Sequence, residues 1–244
     1  MKRIIKKILN DMGLDIIRLN KSPEYSLIGL RNLQINTIID VGANIGQFAS
    51  IIERVFPEAT IYSFEPIPLA FDELSKWSKK IGRKVEAFNY ALSDTSGEIE
   101  MYYHTDHSPS SSLLKTTEIC ENYYPFTKKQ ESIKVKSITL DKAIEDLNIK
   151  IKPELLIKLD VQGYEDRVIK GGEKTFKMAK ACILEIGLDN LYADQADFRE
   201  IIDLLYMLGF KYVGNLSQTY AEDGHVIYID SVFTRRLNDE KNKL

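Results

Sequence analysis

Thr37-Ile38-Ile39-Asp40-Val41-Gly42-Ala43-Asn44-Ile45-Gly46-Gln47-Phe48 is the stretch whose reading decides the fold. It reads as a short apolar strand closed by an acidic residue, a tight glycine turn, and the start of a helix. Gly42 and Gly46 suit a backbone that bends sharply and lets a ligand approach closely. A second acidic residue, Glu65, follows 23 positions after Gly42, at the end of the apolar run Thr60-Ile61-Tyr62-Ser63-Phe64. In a strand-turn-helix-strand unit, that carboxylate falls beside the ribose of a nucleotide lying over the first turn.

The turn departs from the dinucleotide pattern G-x-G-x-x-G/A, in which a helix N-terminus faces a pyrophosphate. Asn44 stands where the middle glycine belongs, and the last glycine falls at Gly46. A carboxylate at Asp40 repels a pyrophosphate and suits the amino group or sulfonium of S-adenosylmethionine. The charge pattern therefore favours S-adenosylmethionine over NAD. The competing readings are an NAD-linked oxidoreductase, a non-catalytic nucleotide-binding scaffold, or an ordinary strand-to-helix turn.

Five motifs follow in order: Asp40 to Gln47, Phe64-Glu65-Pro66, Ala91-Leu92-Ser93-Asp94, Thr139-Leu140-Asp141, and Ile157-Lys158-Leu159-Asp160-Val161-Gln162-Gly163-Tyr164-Glu165. Together they resemble the successive motifs of the FkbM-type family of S-adenosylmethionine-dependent methyltransferases, over about residues 37–190. Gln162 is a departure, since the family more often has Glu there. The resemblance implies a Rossmann-like class I fold and O-methylation of a sugar or glycan-type acceptor, in surface polysaccharide or secondary-metabolite biosynthesis. By similarity to this class, Glu65 would hold the ribose hydroxyls, with Pro66 beside it. Gly42, Ala43 and Asn44 would pass under the methionine part, with Gly46 completing the turn. Leu92 and Ser93 would lie near the adenine.

Alternating strands and helices imply a mostly parallel, seven-stranded α/β sheet with helices on both faces and an antiparallel C-terminal strand. Expected strands are 37–42, 60–65, 85–92, 154–160 and 181–187, with a closing pair at 210–214 and 226–234. Helices are expected at 45–55, 67–80, 139–147, 164–176 and 196–208. Residues 97–103 and 133–138 read as added strands. Between them, 104–132 is polar and then aromatic, with His104, His107, Tyr123, Tyr124 and Phe126. A segment of this length reads as a lid or substrate loop, its aromatics placed to stack on a sugar, or as a plain surface loop.

Ligands bind beyond the carboxyl ends of parallel strands, so Asp40, Glu65, Ser93 and Asp160 should converge. Methyl transfer to an alcohol needs the acceptor placed and its proton removed. Asp160, ending a buried strand, is the first candidate for the base. Glu185, His104 and His107 are further candidates, and Glu165 either helps or caps its helix. Asp160 with Glu185 could alternatively hold a divalent metal, although no metal-ligand spacing stands out and none is assigned.

The 244 residues, 44% hydrophobic and 28% charged, suit one α/β domain. The net charge of −3 gives no basic field for nucleic acid. Cys120 and Cys182 form no disulfide or zinc pattern. The boundaries expected are a basic amphipathic helical extension at 1–30 and a methyltransferase domain at 31–238. Within the extension, Ile4, Ile5, Ile8, Leu9 and Met12 recur at helical spacing among lysines. Residues 1–20 would either lie peripherally on the inner face of a membrane or pack across the sheet. No apolar run reaches the ~18 residues needed to span a bilayer. The expected location is the cytoplasm. The oligomeric state is open.

Overall fold

The computed structural model describes residues 27–82 and 84–235, with Leu9, Asp11 and Met12. Apart from those three, the expected helix at 1–20 lies outside the described residues. Among the described residues, no helix is long and apolar enough to cross a membrane.

The first strand, β1 (Thr37–Val41), is buried at every position, as a central parallel strand must be. It pairs in parallel with β2 (Thr60–Phe64) on one side and β7 (Leu155–Leu159) on the other. The full order is β3-β2-β1-β7-β8-β10-β9, with β3 at Val85–Phe88, β8 at Ala179–Gly187, β9 at Lys211–Tyr220 and β10 at Val226–Thr234. Only β10 runs against its neighbours. This is the mostly parallel, Rossmann-like class I sheet that the sequence leads one to expect.

Side chains alternate across each strand, which divides the core in two. Ile39, Val41, Ile157 and Leu184 face one layer. That layer is formed by α4 (Leu140–Asp146), α5 (Glu165–Gly171), α6 (Glu173–Met178) and α7 (Phe198–Met207). Ile38, Ile61, Leu156 and Ile183 face the other layer, with Ala49 and Ile52 of α1 (Gln47–Val55) and Trp77 of α2 (Pro68–Ile81).

Several boundaries differ from those expected. The strand at 85–92 is two. Asn89 turns out of the ladder and donates its amide to the carbonyls of Glu65 and Pro66. β4 (Ala91–Leu92) then joins a second sheet, β4-β6-β5, with β5 at Gly97–His104 and β6 at Gln130–Ile138. The helix at 164–176 is broken between α5 and α6. Gly171 packs so closely that a Cβ there would lie 2.1 Å from the Ser93 carbonyl oxygen. The strand starting at 210 continues to Tyr220.

The segment 104–132 is structured. It holds 3-10 turns at Ser108–Ser110 and Pro125–Lys128, and α3 (Glu118–Tyr123), N-capped by the Thr117 side chain.

Candidate functional site

A cavity of about 440 Å³ opens at the carboxyl ends of β1, β2 and β7, within the usual range for small-molecule sites. One wall is the turn after β1. Gly42 has φ +72°, and an added Cβ would lie 1.9 Å from the carbonyl oxygen of Asp160. Asn44 is also left-handed, at φ +45°. The N–H groups of Gly42 and Ala43 both donate to the Phe64 carbonyl, which ties the turn to the end of β2.

Glu65 completes that tie. One carboxylate oxygen accepts the Asn44 N–H and the other accepts the Ile67 N–H, each at 2.8 Å. The side chain is almost fully buried, and burial pushes its pKa up to about 7 despite these two bonds. A carboxylate has about four acceptor sites, so both oxygens keep capacity for ribose hydroxyls.

The floor is ionic. Lys158 on β7 faces Asp40 on β1 in register. Its ammonium lies 3.6 Å from Asp40 Oδ1 and 3.2 Å from Asp160 Oδ2, donates to the Gly42 carbonyl at 3.3 Å, and sits 5.5 Å from the Phe48 ring centre. Burial opposes its charge, but Asp160 and Asp40 outweigh that and raise its pKa. Burial raises the pKa of Asp40, against the pull of Lys158.

Asp160 stands at the cavity wall with its side chain about one-third exposed. Gln162 Nε2 donates to Asp160 Oδ1 and to Glu185 Oε1, each at 2.7 Å. Glu165 accepts the N–H groups of Val161 and Gly163, which closes the turn after β7. It is therefore a turn cap, and burial raises its pKa to about 8.

Residues of 108–113 also line the cavity and bond to both turns. Asn44 donates its amide to Ser108 Oγ at 3.0 Å, and Ser112 Oγ donates to the Gln162 carbonyl at 2.7 Å. Ser108, Ser111, Ser112 and Leu113 line the cavity.

Of the residues expected at the site, Gly42, Ala43, Asn44, Glu65, Pro66, Leu92 and Asp160 line this cavity. Asp40 lies one position inside β1, fully buried, and its charge is met by Lys158. Gly46, at φ +96°, caps α1 against Trp77. Ser93 is buried, its hydroxyl 3.2 Å from that of Tyr164.

Glu185 stands behind Gln162. His104 is fully buried at the base of the β5–β6 pair, where burial lowers its pKa. His107 contacts Ser110 Oγ, and its ring packs on Phe126. Neither histidine lines the cavity. Tyr123 and Tyr124 pack with Cys120, Leu191 and Tyr192 in a separate cluster.

Sequence reasoning missed Lys158, Tyr90, Phe48 and Asp230 at the cavity wall. Lys158 had a signal: it lies two residues before Asp160, the spacing that puts side chains on one face of an extended chain.

Residues 40–212 match the family model described as "Methyltransferase FkbM domain". The hexuronic acid methyltransferase AglP of Haloferax volcanii is 31% identical over 147 residues, 60% of this chain and 54% of that protein. The 2-O-methyltransferase NoeI of Sinorhizobium fredii is 27% identical over 173 residues, 69% of this chain and 70% of the relative. The chain thus spans about half the length of the first of these relatives. Among solved structures, the FkbM methyltransferase of Methylobacillus flagellatus superposes with a TM-score of 0.52 at 12% identity. That match covers 82% of this chain and 44% of the other, a likeness of fold.

Proposed function

Since the chain belongs to the FkbM methyltransferase family, whose methyl donor is S-adenosylmethionine, we propose that it methylates a hydroxyl oxygen of a sugar or glycan-type acceptor. The observation that carries the reading is Asp160. Its carboxylate is partly exposed at the wall of a cavity that Glu65 and Ser108, Ser111 and Ser112 also line. When bound, the donor supplies a methyl group activated on a sulfonium. Glu65 would hold the ribose hydroxyls, and the Gly42–Asn44 turn would lie beside the donor. Asp160 orients the acceptor hydroxyl and takes its proton as the oxygen is methylated. The sugar specificity draws support from AglP and NoeI, whose names specify a hexuronic acid and a 2-O position.

The test is a methyl-transfer assay against nucleotide sugars and extracted glycans, reading S-adenosylhomocysteine. Turnover with a sugar hydroxyl is expected. S-adenosylhomocysteine should also raise the melting temperature by binding the folded state, and NAD should not. A calorimetric response to NAD with none to S-adenosylhomocysteine overturns the reading.

A further inference from the structure

Gln162 adopts a left-handed backbone conformation, φ +56°, which a side-chain-bearing residue rarely takes and which persists only where the surroundings fix it. Here they fix it from every side. Ser112 Oγ donates to its carbonyl oxygen, and the Tyr192 hydroxyl donates to its Oε1, both at 2.7 Å. The Tyr192 hydroxyl also lies 3.0 Å from the Ser110 carbonyl. The amide nitrogen then has two hydrogens and two acceptors, Asp160 Oδ1 and Glu185 Oε1. Turned over, the amide would set its oxygen against both carboxyl groups.

We propose that Gln162 is a positioning residue for methyl transfer: its amide clamps Asp160 at the cavity wall and couples that carboxylate, through Ser112 and Tyr192, to the 104–132 segment. The proposal rests on Asp160 as the group that meets the acceptor hydroxyl.

In this chain an amide stands where the family more often has Glu, and it is met by two acids. Glu185 is buried, and burial first, then Asp160, push its pKa well above the usual carboxylate range. The ionisable groups that bear on Glu185, besides Asp160 just after β7, are Lys158 on β7, Glu165 on α5, Asp230 and Tyr228 on β10, and Tyr124 and Tyr192. Lys158 is the one cation among them, and it stands between Asp160 and Asp40. A carboxylate at 162 would add a third acid to this pair. The amide donates to both acids and adds no charge.

The experiment compares Gln162→Glu with Gln162→Met in the full chain. Thermal unfolding is followed between about pH 5.5 and about pH 8.5, a window that brackets a raised carboxyl pKa. Crowded carboxyls bind protons more tightly folded than unfolded, so their stability contribution falls as pH rises. Gln162→Glu should therefore lose stability progressively towards high pH, and Gln162→Met should run parallel to the parent chain. On an acceptor found by the assay above, Gln162→Glu should lower kcat by ~10²-fold, the cost of a misplaced reacting group, with KM for the donor little changed. Tyr192→Phe should lower kcat in the same sense. Parallel pH curves for both Gln162 variants overturn the clamp. Unchanged kcat in Gln162→Glu overturns the positioning role. If the parent chain methylates no acceptor, it is the proposed function that fails, and the pH curves still decide the clamp.

Discussion

The ammonium of Lys158 lies 3.2 Å from Oδ2 of Asp160, and the same ammonium is the charged partner of Asp40 deep inside β1. Removing it strands a fully buried carboxylate. Breaking a buried pair by deleting one partner costs about 3–5 kcal/mol, whereas deleting both can be nearly neutral. Lys158→Met should therefore lose about 3–5 kcal/mol in denaturant unfolding, and Lys158→Met with Asp40→Asn should recover most of it. Additive losses in the double variant would mean that the two charges do not interact.

Glu65 gives a pH signature. Its folded pKa, about 7, lies above the ordinary 4.5 because of burial. The folded state thus holds a proton that the unfolded state releases, and the ionised carboxylate is the better ribose acceptor. Stability from this group falls as pH rises from the unfolded value to the folded one, while cofactor affinity rises through about pH 7. Calorimetry with S-adenosylhomocysteine should show tightening across neutral pH in the parent chain and a flat profile in Glu65→Gln. Charge-assisted bonds contribute ~1.5–3 kcal/mol each, so affinity in Glu65→Gln should drop by about tenfold or more.

Asp160→Asn should lower kcat by ~10²–10⁴-fold, the usual worth of a general acid–base group. Cofactor affinity should move far less, since the shape of the side chain is kept. Near-normal turnover on the true acceptor would remove Asp160 as the base.

Gly42→Ala should fail through the backbone. Its Cβ would fall on the Asp160 carbonyl, and its φ is one that alanine adopts only under strain. Loss of cooperative unfolding, or a much lower midpoint, is the expected result. A variant with parental stability and parental affinity for S-adenosylhomocysteine would show that the turn is not held against β7.

The 104–132 segment should gain protection in hydrogen exchange when donor and acceptor bind together, because Ser108 and Ser112, which line the cavity, anchor it to Asn44 and Gln162. Unchanged exchange with both bound would assign it to scaffold alone.

What could be read from the chain was local. A glycine turn after a run of β-branched residues and an acid at the end of the next strand specify Gly42, Asn44 and Glu65 by their neighbours alone. Lys158 escaped because its meaning depends on register: Asp40 and Lys158 are far apart in sequence and meet only when β1 pairs with β7. His104 and His107 drew notice by residue type, which says nothing of burial, and β5 pairing with β6 buried the first of them. The division of 85–92 turned on Asn89, whose side chain takes up carbonyls that no short-range pattern reveals.

β5 and β6 are held in antiparallel register from Gly97↔Ser137 to His104↔Gln130, and the cavity-lining residues from 108 to 113 hang between them. Such a clasp fixes both ends of the segment independently of what lies between them. Another stretch closing on the same pair of strands could present a different surface to the cavity, while the sheet, the glycine turn and Glu65 carry on unaltered.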